Sequence, residues 1–227
     1  MTMSNQNVSN QNVSTQTKLK SAFDIKALAM GTALSLMLTT PAFAAADQDK
    51  DGIPDTAEAL IHTDPAIADT DGDGTNDLND KTPVFSEIEP QTAGNGKVSI
   101  DIKEALVEDN YDYALRKDAT DHLELLLKNT GKQTLSGMNV DYQIKNLATD
   151  EMERYHVQLG KFTLAPGEEQ RVHFDDGVKP GHFRANPNSM YKTNTDEKQF
   201  TVWISASGYQ PVTTNIHKDA GGAEQAD

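Results

Sequence analysis

Two acidic stretches, Asp47–Glu58 and Asp69–Asp80, do most to limit how this chain folds. The first reads Asp47-Gln48-Asp49-Lys50-Asp51-Gly52-Ile53-Pro54-Asp55-Thr56-Ala57-Glu58. The second begins 22 residues later and reads Asp69-Thr70-Asp71-Gly72-Asp73-Gly74-Thr75-Asn76-Asp77-Leu78-Asn79-Asp80. Each has aspartates at loop positions 1, 3, 5 and 9, a glycine at position 6 and a carboxylate at position 12. Carboxylates this dense repel one another and resist leaving water unless a cation neutralises them. The spacing D-x-D-x-D-G-x5-E suits calcium, a hard cation that takes six to eight oxygens at about 2.3–2.6 Å. Side chains at positions 1, 3 and 5 point at the ion, the glycine makes the sharp turn, and position 7 offers its backbone carbonyl. Position 9 binds directly or through water, and position 12 closes the shell. The expected ligands are Asp47, Asp49, Asp51, Ile53, Asp55 and Glu58 in the first loop. In the second they are Asp69, Asp71, Asp73, Thr75, Asp77 and Asp80. Asp80 is one methylene shorter than Glu58 and closes its loop less readily. Magnesium prefers a tighter octahedron and keeps its waters, so Ca2+ is the expected ion.

Ahead of the loops, Ala27–Leu38 is apolar, uncharged and too short to span a bilayer. Lys18, Lys20 and Lys26 precede it, and Pro41-Ala42-Phe43-Ala44-Ala45-Ala46 follows it. This predicts a signal peptide over 1–44 cut after Ala44, with a cut after Ala46 as second choice. The mature protein is then expected to be soluble, secreted or periplasmic and without a transmembrane anchor. Twenty basic residues face 35 acidic ones over the whole chain. Without the leader 17 face 34, a formal charge of −17. Such a surface repels nucleic acid and anionic lipid and favours cations and basic partners. There is no cysteine, which excludes disulfides, thiolate metal sites and a cysteine nucleophile. Core burial or bound metal must therefore stabilise the fold.

An EF-hand needs a helix on both sides of its loop, and cleavage at Ala44 or Ala46 leaves none before Asp47. Pro54 also stands where paired EF-hands form a short strand, and only a short helix over Thr56–Ile61 is expected. The run Asp47–Asp80, with Thr63-Asp64-Pro65 between the loops, resembles bacterial thrombospondin type 3 repeats. It departs from them at His62, where glycine is usual, and at Asp80, where glutamate is common. The resemblance implies calcium-dependent folding of an ion-cored segment in an extracellular protein, with Asp64 as an additional ligand and no catalysis.

Lys81–Lys97, with Pro83, Pro90, Gly94 and Gly96, reads as a linker. From Val98 onward period-two alternation predicts strands at 98–102, 123–127, 140–144, 156–164, 171–174, 200–206 and 211–216. Turn signals at Asn129-Thr130-Gly131, Pro166-Gly167 and Ser207-Gly208 separate them. This predicts a mainly β chain with an antiparallel β-sandwich. Two signatures, Asn129-x-Gly131 and Leu164-Ala165-Pro166-Gly167-Glu168, resemble those of bacterial immunoglobulin-like adhesion modules, which implies an immunoglobulin-like sandwich. Trp203, alternating with Val202 and Ile204, is expected in its core. The chain thus divides into a signal peptide (1–44), a calcium-binding segment (45–80), a linker (81–97), a β-sandwich (98–217) and a disordered tail (218–227). The polar stretch Asp175–Glu197 interrupts the strands and is a candidate partner loop.

No G-x-S-x-G, H-E-x-x-H or phosphate-binding glycine loop occurs, and the six histidines are scattered. His156 and His173 fall on neighbouring predicted strands, and no zinc site is expected from that pair. The chain is read as a non-enzyme. The leading expectation is an exported structural or interaction protein in which calcium rigidifies the N-terminal segment and the sandwich engages a protein partner. The alternative is a module that binds carbohydrate or a surface polymer, with Phe183, Arg184 and Tyr191 supplying the site. A hydrolase with calcium as a structural ion is a third possibility.

Overall fold

The structure, a computed structural model, describes residues 45–94, 96–108, 111–112, 117–118 and 122–221. The expected signal peptide and the last six residues lie outside them. The acidic segment holds one short helix, α1 (Asp55–Ile61), and a 3-10 turn at Asp77–Asn79. The strands that follow are β1 (Ile100–Glu108), β2 (Tyr111–Asp112), β3 (Lys117–Asp118), β4 (His122–Asn129), β5 (Met138–Asn146), β6 (Met152–Gln158), β7 (Glu169–Asp175) and β8 (His182–Arg184). Helix α2 (Met190–Thr193) and strands β9 (Lys198–Ala206) and β10 (Val212–Lys218) complete the chain. Among the described residues, no helix is long and apolar enough to cross a membrane.

The fold is mainly β. One four-stranded sheet has the order β1-β4-β7-β8 and the other β10-β9-β5-β6. Neighbours are antiparallel except β7 and β8, which run parallel. Alternation along each strand creates the core. Leu123, Leu125 and Leu127 of β4 and Val172 and Phe174 of β7 are fully buried. From the second sheet come Val140, Tyr142 and Ile144 of β5 and Phe200, Val202 and Ile204 of β9. The Tyr142 and Phe174 rings meet edge-on at 5.5 Å, joining the sheets. Each such side chain contributes about 1.5–3 kcal/mol by leaving water. Two apolar faces packed in this way are consistent with a β-sandwich.

Three expectations change. Trp203 lies on the partly exposed outer face of β9, because the period of two that buries Val202 and Ile204 turns their neighbour outward. The predicted strand over 156–164 ends at Gln158; the chain turns at Gly160 (φ +55°), and Leu164 forms an isolated bridge to Leu135. His156 and His173 stand in different sheets, β6 in one and β7 in the other, and so are not neighbours.

Asn129 explains the two turn signatures. Fully buried, it donates through Nδ2 to the Gln133 and Leu164 carbonyls, both at 2.8 Å, and accepts from Gly131 N at 2.8 Å. Its backbone pairs with Glu168 O and Gly167 N. One amide thereby ties both turns to each other. The outer edge of β6 is also covered. Arg154 pairs through its backbone with Val84 and Ser86, donates from Nε to Ser86 O at 2.7 Å, and lies over the Phe85 ring. Residues 84–86, within the stretch read as a linker, thus shield a row of unpaired backbone groups.

Candidate metal centre

The two acidic loops share one hydrogen-bond scheme, repeated at an interval of 22 residues. Asp47 Oδ1 accepts from Lys50 N and Asp69 Oδ1 from Gly72 N, at 2.8 and 3.0 Å. Asp49 Oδ1 accepts from Asp51 N and Asp71 Oδ1 from Asp73 N, both at 3.1 Å. Asp51 Oδ1 accepts from Ile53 N and Asp73 Oδ1 from Thr75 N, at 2.6 and 2.8 Å. Asp55 Oδ1 and Asp77 Oδ1 close each loop by accepting from Gln48 N and Thr70 N, both at 2.8 Å. The backbone repeats as well: Asp55 N donates to Ala46 O and Asp77 N to Ala68 O. Left-handed conformations recur at position 4 (Lys50, φ 65°; Gly72, φ 78°) and position 6 (Gly52, φ 105°; Gly74, φ 97°). At Gly72 a Cβ would also stand 2.1 Å from the His156 carbonyl oxygen, so only glycine fits there.

In this scheme one oxygen of each carboxylate at positions 1, 3 and 5 holds the loop's own backbone, and in Asp47, Asp49, Asp51 and Asp71 the other accepts no hydrogen bond from a described residue. Within each loop, oxygens of the three leading aspartates (Asp47, Asp49 and Asp51; Asp69, Asp71 and Asp73) lie within 4.8 Å of one another. Among the described residues, five buried carboxylate oxygens have no hydrogen-bond partner: Asp49 Oδ2, Asp51 Oδ2, Glu58 Oε2, Asp71 Oδ2 and Asp80 Oδ2. Leaving such groups unpaired costs several kcal/mol each. Burial, reinforced by Asp49, Asp51, Asp55 and Asp77, pushes the Glu58 carboxyl up to about 7. Burial, with Asp73, Asp80 and Asp69 nearby, does the same to Asp71. Asp77 rises to about 6, mainly through burial and despite its hydrogen bonds from Thr70. The donor set is all oxygen, anionic and convergent, which fits a hard divalent cation.

The expected ligands occupy different settings. Asp49, Asp51, Glu58, Asp71 and Asp80 each offer an unpaired oxygen. Asp47 and Asp69 join their triads, although Asp69 Oδ2 also accepts from Gly74 N. Asp73 Oδ2 accepts from Glu87 N at 3.2 Å. Both oxygens of Asp77 are engaged by Thr70, so Asp77 acts here as a brace, as Asp55 does through Gln48. Ile53 and Thr75 are held by their backbone N–H groups, which orients the peptide at position 7. Asp64, an additional ligand by resemblance, instead receives both arms of Arg184 at 2.6 Å. His62 adopts φ 65° at the end of α1, a left-handed position that glycine takes most readily.

Residues that sequence reasoning missed fasten this segment to the sheets. Besides the Arg184–Asp64 pair, Asn186 Nδ2 donates to His62 O and Asn188 Nδ2 to Thr63 O, both at 2.6 Å. Asn186 also reaches the Tyr155 hydroxyl, which donates to Glu153 Oε2 at 2.9 Å. Buried Glu153 in turn accepts from Ser189 Oγ and from Met190 N at the start of α2. His156 N donates to Asp71 O at 2.7 Å, joining the second loop to β6. No local pattern in Asp175–Glu197 signals this role, since its partners lie about 120 residues away. The same packing buries Tyr191 and sets Phe183 against Phe162 and Phe174, so neither ring is a free platform.

No family model and no curated protein matches the chain. Among solved structures it is similar to the archaeal flagellum of Methanospirillum hungatei strain JF1, at 10% identity over 57% of this chain and 69% of that one, TM-score 0.32. It is similar to Pseudomonas fluorescens alkylpurine DNA glycosylase AlkC, at 17% identity over 54% of this chain and 31% of that one, TM-score 0.30. A β-glucosidase from Listeria innocua aligns at 14% identity over 55% of this chain and 16% of that one, TM-score 0.28. The chain thus spans less than a third of the latter two proteins. At these TM-scores the likenesses carry no argument about fold or activity.

Proposed function

We propose that the chain is an exported calcium-binding structural and interaction protein. Calcium folds the segment 45–80 in the manner of thrombospondin type 3 repeats, and an immunoglobulin-like sandwich presents a surface to a partner. The observation that carries the reading is the set of five buried, unpartnered carboxylate oxygens divided between two loops of repeated geometry. Asp47, Asp49, Asp51 and Glu58 would hold one ion; Asp69, Asp71, Asp73 and Asp80 would hold the other. The ions neutralise the charge, and the bonds from Arg184, Asn186 and Asn188 then transmit that rigidity to the sheets. No catalytic step is assigned.

Calorimetric titration of the chelator-treated protein tests this directly. Two calcium ions per chain are expected, with Asp49→Asn removing one and Asp71→Asn the other. Absence of calcium uptake would contradict the proposal, as would uptake that neither substitution alters.

A further inference from the structure

Away from the acidic loops, strands β4, β7 and β8 gather histidine and carboxylate side chains on the outer face of their sheet. His122 and Glu124 are two apart on β4, so the pleat that buries Leu123 and Leu125 turns both outward. His173 of β7 lies directly opposite Glu124 in the antiparallel register. His173 Nδ1 is 3.2 Å from Glu124 Oε2 and 3.5 Å from His122 Nε2, and His122 Nε2 is 3.7 Å from Glu124 Oε2. A tetrahedral zinc ion with bonds of about 2.0–2.1 Å holds its ligand atoms about 3.3 Å apart. The three atoms therefore match one triangular face of a zinc tetrahedron.

The surroundings already fix these side chains. Glu124 Oε1 accepts from Arg171, which leaves Oε2 directed at the two imidazoles, and Arg171 is itself paired with Glu104. The His182 ring stacks on His173 with centroids 4.4 Å apart and planes 9° from parallel, and its Nδ1 lies 2.5 Å from Asp175 Oδ2. Partners of this kind orient metal ligands and limit their rotation. The three side chains are partly withdrawn from water, between 16% and 21% exposed, so an ion there is reachable from solvent.

We propose that His122, Glu124 and His173 form a binding site for a zinc-class divalent cation, distinct from the acidic loops. Two imidazoles and one carboxylate favour zinc or its transition-metal neighbours over calcium, which seeks more oxygens and longer bonds. The site lies on the rigid sheet and does not rest on the calcium reading.

The test uses the full chain with its loops saturated with calcium, titrated with zinc chloride by calorimetry and with cobalt(II) by visible absorption. One zinc per chain is expected, together with the intense visible bands of four- or five-coordinate cobalt. His122→Ala and His173→Ala should each weaken zinc binding at least tenfold, and Glu124→Gln several-fold. His156→Ala, in the other sheet, should leave it unchanged. Circular dichroism confirms that each variant is folded, and His122→Ala with Glu124→Gln suffices should His173→Ala not fold. The proposal is overturned if zinc fails to bind below about 100 μM, a free energy of about −5.5 kcal/mol. It is overturned equally if these substitutions leave the affinity intact.

Discussion

In the segment Asp47–Asp80 the side chains most withdrawn from water include Glu58, Asp71, Asp77, Asp64 and Asp51, and Ile53 is the one buried large apolar residue among them. In the sheets the corresponding residues are Leu123, Leu125, Leu127, Val140, Ile144, Val172, Phe174 and Phe200. Both regions have a regular backbone and an interior, yet the interiors are chemically opposite. Apolar burial stabilises the sheets whatever ion is present. Buried carboxylates oppose folding of the segment until a cation or protons neutralise them. On the proposed reading, a single chain joins an ion-dependent structure to an ion-independent one, through the contacts of Arg184, Asn186 and Asn188.

Substitutions separate the two regimes. The largest effect is expected from Leu125→Ala in the centre of β4, which should lower stability by about 3 kcal/mol. Urea unfolding should show that loss equally in calcium and in chelator. Arg184→Ala leaves the carboxylate of Asp64, only 2% exposed, without its paired donor, at a cost of about 2 kcal/mol. In calcium the unfolding profile of this variant should split, with the segment melting apart from the sheets. A single unchanged transition would show that the Arg184 contact does not couple them.

Glu58→Gln should act with opposite signs in the two conditions. With calcium it weakens one site about tenfold, or about 1.4 kcal/mol. In chelator it stabilises the segment slightly, because it removes a buried carboxyl whose ionisation its neighbours oppose. Calorimetry and thermal melting measure the two arms, and destabilisation in both would break the contrast. The last contrast is in pH. Without calcium, Glu58 and Asp71 titrate near 7 and Asp77 near 6, well above the ordinary carboxylate values of 4.5 and 3.8. Across that window the folded state holds protons that the unfolded chain has released, so its stability falls as pH rises from about 4 to 7. His156, raised by its hydrogen bond to Asp141, acts in the same direction at the upper end. Calcium needs the ionised carboxylates, so in its presence acidification should lower the melting temperature. Thermal melts at pH 5 and 7.5 with and without chelator check the inversion.

The candidate ligands were legible because they lie within two runs of twelve contiguous residues, each with the spacing that calcium chemistry asks for. Strands β4, β5, β7 and β9 were legible for a similar reason, since period-two burial is written locally. What escaped is set by distant pairing. Strand order placed His156 and His173 in separate sheets and brought His122 beside His173. Trp203 was misjudged because alternation gives a period without saying which face is inside. Nothing near Arg184 announces Asp64, and nothing in Asn186-Pro187-Asn188 announces the carbonyls of His62 and Thr63 that these amides bind.

Hydrogen exchange read by mass spectrometry, on calcium-saturated and chelator-treated protein, tests the central contrast most directly. Chelation should remove protection from the backbone amides of residues 47–80, including those of Lys50, Asp51, Gly72 and Asp73, while β4, β5 and β9 keep theirs. Equal protection of 47–80 in both conditions, or loss of protection in the sheets to the same extent, would contradict it.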